Sequence, residues 1–221
     1  MLTIDEARNW YPEVDPVHGF DHILRVLKMA AQLALAEGAD LEIVHAAALL
    51  HDVEGDLPSA ACLEPCLRVS GQRLTHQHAA AAFACQILAA ESWPEERIAA
   101  VQHCIRAHRF RDDTEQPKTI EAQVLFDADK LDAIGAIGAV RAIAYAVLAE
   151  QNLFANPSER FHRTGEKESG EPHTPYHEHL FKLSKLKDRM YTAAGRAIAE
   201  ERHRFLETFF DQLQSELKTE V

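Results

Sequence analysis

Polar side chains able to bind a cation or move a proton stand at scattered places among apolar residues: His22, the adjacent pair His51-Asp52, and the carboxylates of the run Asp127-Ala128-Asp129-Lys130-Leu131-Asp132. A charge left unpaired on an apolar helix face is costly to bury, so each of these groups needs a partner. A divalent cation would satisfy imidazole nitrogen and carboxylate oxygen together. A mixed His and carboxylate site suits Zn, Mn, Fe, Co or Ni without selecting sharply among them. The plain alternative is that each residue is a helix cap or a satisfied core group, since a lone His-Asp dipeptide specifies little. Spacing alone does not choose among Asp127, Asp129 and Asp132.

The elements that must position these residues are helical, because apolar positions recur at helical spacing and strict alternation between turn clusters is missing. A first amphipathic helix is expected over 20–37, with Gly38 just past its end. Asp40 reads as the N-cap of a second, which carries His51 and Asp52 at its C-terminal end before Gly55 and Pro58 stop it. A loop over 55–74 precedes a helix over 75–90, and Ser92 with Pro94 signals the start of the next, ending near His108. One helical stretch is expected over 119–150, with Gly135 and Gly138 allowing close packing or a bend. Residues 151–175 read as a surface loop. Helices over 176–186 and 192–217 follow, the last with a stripe of Ile198, Phe205, Leu206, Phe209, Phe210 and Leu213 that suits a core or a dimer surface. The expected fold is all-α, a single domain over 1–221.

Composition narrows the functions. With 23 Lys and Arg against 35 Asp and Glu, the 221-residue chain has a net charge of −12, a poor match for the phosphates of a nucleic acid duplex. An anionic substrate must be held by local groups. No apolar run reaches the roughly eighteen residues of a membrane span, and Asp5, Glu6 and Arg8 interrupt the N-terminal segment where a signal peptide would be apolar, so a cytoplasmic protein is expected. Cys62, Cys66, Cys85 and Cys104 are too few and too irregular for a disulfide framework. The Cys62-Cys66 pair is a zinc half-site at best. His173, His177 and His179 could close over a site, but read more simply as exposed loop and helix-start residues.

Four blocks together carry a family resemblance: His18-Gly19-Phe20-Asp21-His22 with Arg25-Val26; Ala48-Leu49-Leu50-His51-Asp52; Ile105-Arg106-Ala107-His108-Arg109-Phe110; and Asp127 to Gly138. In this order and spacing the chain resembles the HD-domain superfamily of metal-dependent phosphohydrolases, and within it the bacterial group of stand-alone predicted HD hydrolases. Lys182-Leu183-Ser184-Lys185-Leu186 and Arg202-His203-Arg204-Phe205-Leu206 resemble that group as well, so the likeness runs from about residue 15 to 215. The resemblance implies an HD helical bundle with a metal-binding core over about 18–140, and a C-terminal helical extension over about 176–217 packed on the same core.

It also implies that His22, His51, Asp52 and Asp129 are metal ligands, with Asp127 and Asp132 supporting or capping nearby groups. The ion would be Mn, Ni, Co, Zn, Fe or Mg. A subset of the superfamily binds a second metal through additional histidines, and His78 and His108 stand where those fall; otherwise they would contact phosphate or water. Asp52 would both ligate and orient the attacking water, with Glu54 or Asp56 as an auxiliary carboxylate base. Lys130 and Arg25 would hold phosphate, and His18, four residues before His22, would meet substrate or donate a proton if the helix begins that early. The expected activity is hydrolysis of a phosphoester or phosphoanhydride bond in a small phosphorylated compound, a nucleotide, by a monomer or homodimer. Two rivals are a nucleotide-sensing HD module without catalysis and a di-iron HD oxygenase.

Overall fold

Residues 2–11, 19–53, 76–109 and 115–217 are described by a computed structural model, and among them every regular element is a helix. They group into two compact units, Met1–Asp129 with Tyr191–Ala194, and Lys130–Met190 with Gly195–Val221. Residues 130–140 group with the C-terminal helices in this division.

In the first unit, Thr3 caps the short helix α1 (Ile4–Arg8) through a reciprocal pair with Glu6. Helix α2 (Phe20–Glu37) has the expected bounds, closed by Gly38 in the left-handed conformation at φ 72°. Its buried stripe, Ile23, Val26, Leu27, Ala30, Leu33 and Ala34, also contains His22. Asp40 starts α3 (Leu41–Leu50) by accepting from the Glu42 and Ile43 N–H groups, and Arg97 forks onto its carboxylate at 2.9 and 3.2 Å. α3 is apolar nearly all round and packs against α2, α4 (His76–Ala90) and α5 (Glu95–Ala107), so it is the central helix of this unit. Fully buried Leu49 and Leu50 contribute about 2 kcal/mol each. The start of α5 differs from expectation: Pro94 is the N-cap, while Ser92 sits at φ 61° and turns the chain after α4.

The stretch expected over 119–150 is two helices, α6 (Ile120–Leu131) and α7 (Gly135–Leu148). In the second unit Gly135 adopts φ 77°, and the Gly138 backbone lies so close to the Ala133 carbonyl that an added Cβ would sit 2.2 Å from its oxygen. That close approach ends the first helix and starts the next. Arg141 then bonds both the backbone oxygen and the carboxylate of Asp132, at 3.2 and 2.9 Å.

The expected loop over 151–175 contains α8 (Glu159–Thr164) and is tied down rather than free. Glu171 accepts from Ser158 N and Oγ, each at 2.7 Å, from Glu168 N, and from His177 Nε2 at 3.0 Å. His177 and His179, expected to be exposed, are buried on α9 (Pro175–Phe181), because Glu171 and Thr174 bond His177 and Phe210 stacks on His179. A 3-10 turn (Leu183–Arg189) and α10 (Ala193–Leu217) complete the chain. α10 buries Gly195, Ala199, His203, Leu206, Phe210 and Gln214, so its inner face is rotated from the expected stripe and leaves Phe205 50% exposed. Among the described residues no single helix is long and apolar enough to cross a membrane.

Candidate metal centre

The last turn of α3 delivers His51 at its C-cap, where Nδ1 donates back to the Ala48 carbonyl at 2.9 Å. This fixes the ring and leaves the lone pair on Nε2, which is buried and has no hydrogen-bond partner among the described residues. Burial pushes the imidazole below its ordinary range despite the opposing pull of Asp52, which favours the neutral form. An orphaned acceptor nitrogen of this kind is costly in a dry core. It is also the form in which histidine binds a cation.

The neighbours converge on that nitrogen. His22, from the inner face of α2, places Nε2 3.5 Å from Asp129 Oδ1 and 3.7 Å from Asp52 Oδ2, and His51 Nε2 is 3.7 Å from the same Asp52 oxygen. The ligating atoms of His22, His51 and Asp129 all lie within 4.8 Å of one another. These gaps are longer than ordinary hydrogen bonds, and about 3.4 Å is the spacing of two donors held at about 2.1 Å from one tetrahedral ion. The donor set therefore fits a divalent metal, with His22, His51, Asp52 and Asp129 able to hold it.

Asp52 faces two ways. Its Oδ2 points to His22 and His51, while Oδ1 accepts from His76 Nε2 at 3.0 Å and lies 3.6 Å from His108 Nε2. Burial pushes its carboxyl up, but His51, His108 and His76 together outweigh this and hold it well below the usual carboxylate range. The ring of His108, next to that of His51 with centroids 5.2 Å apart, is fixed by Nδ1 donating to the Ile105 carbonyl.

The three candidate carboxylates separate cleanly. Asp127 accepts from Tyr191 N, Thr192 N and Thr192 Oγ1 at 2.9, 2.8 and 2.6 Å, fixing the residues that lead into α10, and Asp132 bonds Arg141. Asp129 is the one placed beside His22 and His51. Lys130 follows it and is buried, and Arg25, one turn beyond His22, pairs with Asp21. His78 lies on α4 two residues after His76, a rotation of about 200° on a helix, and it is His76 that meets Asp52. Nothing in the pattern His76-Gln77-His78 tells which histidine turns inward without the register of α4. His18, Glu54, Asp56, Cys62 and Cys66 lie outside the described residues.

The sequence profile of the HD domain matches residues 19–134, the span that carries His22, His51, Asp52 and Asp129, and the chain belongs to that family. Its relatives include the uncharacterized protein YpgQ of Bacillus subtilis, 31% identical over 225 residues covering 98% of this chain and 95% of that one. The crystal structure of YpgQ in complex with ADP superimposes with a TM-score of 0.69 at 30% identity, covering 98% of both chains. A Lactobacillus plantarum protein of solved structure gives a TM-score of 0.71 at 28% identity over 98% of this chain and 95% of its own. An HD-superfamily hydrolase from Bacillus thuringiensis gives 0.64 at 30% over 92% and 88%.

Proposed function

We propose that this protein is a metal-dependent phosphohydrolase that cleaves a phosphoester or phosphoanhydride bond of a small phosphorylated compound, a nucleotide. The observation that carries the reading is the buried, unpartnered Nε2 of His51 facing the His22, Asp52 and Asp129 donors. A divalent ion at such a site lowers the pKa of bound water and polarises a phosphoryl oxygen. His22 and His51 contribute imidazole nitrogens, Asp52 and Asp129 contribute charge, and His76 and His108 keep Asp52 oriented and ionised. With its carboxylate so held, Asp52 can orient the attacking water, with Glu54 or Asp56 as an auxiliary base. Lys130 and Arg25 would meet substrate phosphate, as would His18. The ADP complex of YpgQ supports a nucleotide as the ligand class.

The reading is tested by loading metal-stripped protein with Mn, Co, Ni, Zn or Mg and assaying nucleoside mono-, di- and triphosphates for released phosphate or pyrophosphate. Inactivity with every metal and phosphoester overturns it. A nucleotide that raises the melting temperature and is recovered intact points instead to the sensing module. A second metal is favoured by one observation, the turning of Asp52 Oδ1 toward His76 and His108. Metal analysis giving two ions per chain supports it; two irons with an optical band and oxygen uptake would make the protein the oxygenase.

A further inference from the structure

The described arginines of the first unit are mostly matched to carboxylates. Arg25 pairs with Asp21, Arg97 with Asp40 and Glu42, and Arg106 with both oxygens of Glu115, while Arg8 lies over the Phe20 ring. Arg109 differs. Among the described residues its guanidinium bonds a neutral group, the Gln77 carboxamide, with Nη1 donating to Oε1 at 3.2 Å.

The position of this pair is tied to the metal centre. His76 and His108 both face Asp52 Oδ1, and the residues that follow them, Gln77 and Arg109, meet each other. Gln77 is 1% exposed, so its oxygen is a fixed acceptor, whereas Arg109 is exposed to solvent. One N–H of the guanidinium is used for orientation, and among the described residues the other donors remain, with no carboxylate cancelling the charge. A carboxylate in place of Gln77 would have neutralised it. In a chain of net charge −12, a cation kept in this way next in sequence to His108, which faces Asp52, has an evident use.

We propose that Arg109, oriented by Gln77, binds the phosphate group of the substrate that is not being cleaved, and so favours substrates with two or more phosphates over monophosphates. The proposal rests on the phosphohydrolase reading and adds to it a specificity-determining residue, Arg109, and a positioning residue, Gln77. Neither touches the reacting atoms, so their effect falls on binding: KM rises while kcat is largely kept.

Binding of AMP and of α,β-methylene-ADP, which resists cleavage, is measured by calorimetry on the full-length protein, alongside KM and kcat for ADP. Arg109→Ala is expected to weaken the ADP analogue about ten- to a hundredfold, the range of a charge-assisted bond, with AMP changed little and the melting temperature unmoved. Gln77→Glu gives the discriminating readout. It puts a carboxylate under the guanidinium, tightening the link while cancelling the charge, so the analogue should bind more weakly although the protein is no less stable. A purely structural role predicts unchanged or tighter binding. The proposal is overturned if Arg109→Ala or Gln77→Glu binds the analogue as the wild type does. If the wild type cleaves ADP and these variants match it, the Arg109 assignment alone falls; if the wild type neither binds nor cleaves any nucleotide, the phosphohydrolase reading falls with it.

Discussion

His76 Nε2 sits 3.0 Å from Asp52 Oδ1 across 24 residues of sequence, which joins the start of α4 to the end of α3 at the metal centre. A donor that orients a ligating carboxylate typically changes metal affinity or activity by about 10- to 100-fold. His76→Ala should therefore lower kcat/KM and metal affinity by about that factor. His78→Ala, turned away on the same helix, should stay within about threefold by the same comparison. Titration of stripped protein with Mn and steady-state assays check both, and equal effects from the two variants would show that His76 does not position Asp52.

Asp127 and Asp129 are two residues apart and have opposite duties. The Asp127 carboxylate is buried and accepts three hydrogen bonds from Tyr191 and Thr192, so Asp127→Ala leaves buried donors unmatched and should cost about 3 kcal/mol of stability. The variant should still bind metal. Asp129→Ala should lose the ion and turnover while the stripped protein unfolds at nearly the wild-type denaturant concentration. Metal content and denaturant unfolding of both variants test this, and an Asp127→Ala protein that has lost its ion at full stability would reverse the assignment.

Chelation bears on the same point. Metal bound to the native state alone stabilises by mass action, about 2.7 kcal/mol at a hundredfold excess over Kd. EDTA should lower the melting temperature of the wild type and leave His51→Ala, which lacks the Nε2 donor, unmoved. A wild type indifferent to EDTA and to added Mn would count against a bound ion.

The bounds of α2 and α3 were legible because local chemistry sets them: Gly38 alone tolerates the left-handed cap cheaply, and Asp40 caps two N–H groups within three residues. The His22, His51 and Asp129 grouping was legible only through the family resemblance, since no spacing rule relates positions so far apart. The break between α6 and α7 was legible only as one of two options for Gly135 and Gly138, a bend or close packing, because a glycine costs a helix only about 1 kcal/mol and residue type alone does not announce the approach of Gly138 to the Ala133 carbonyl five residues earlier. The choice of His76 over His78 depends on helix register. On α10, small Gly195 and Ala199 allow close packing that a ranking by hydrophobicity gives to Phe205. His177 is buried because Glu171 and Thr174 receive it, and nothing in the residue type announces that.

Acid should destabilise the protein through His179. Burial first, and then His203, depress this imidazole to about 4 against the pull of Asp211, and its ring stacks on Phe210 with 4.5 Å between centroids. The unfolded chain, titrating near its ordinary value of about 6.5, binds the proton more readily, so this contribution is complete above that pH and is lost as pH falls toward 4. By pH 5 the loss is about 2 kcal/mol. Urea unfolding of wild type and His179→Leu at pH 7.5 and 5 isolates the effect, since the leucine variant should show a smaller drop. Equal drops would assign the acid sensitivity to other groups.

Three glycines rank by what a side chain would meet. Gly38 at φ 72° has open space around it, so Gly38→Ala should cost about 1 kcal/mol from backbone conformation alone. At Gly135, with φ 77°, the new methyl would also meet Arg202 Cγ at 3.0 Å, and that flexible side chain can move, giving about 2 kcal/mol. Gly138 has ordinary backbone angles, yet its Cβ would sit 2.2 Å from the Ala133 oxygen and 2.5 Å from its carbonyl carbon, neither of which can yield without opening the turn between α6 and α7. Gly138→Ala should cost more than about 3 kcal/mol, the largest of the three although alanine is the better helix former. Denaturant unfolding of the three variants gives the order directly. If Gly138→Ala proves as mild as Gly38→Ala, the close approach at Ala133 is not what separates the two helices.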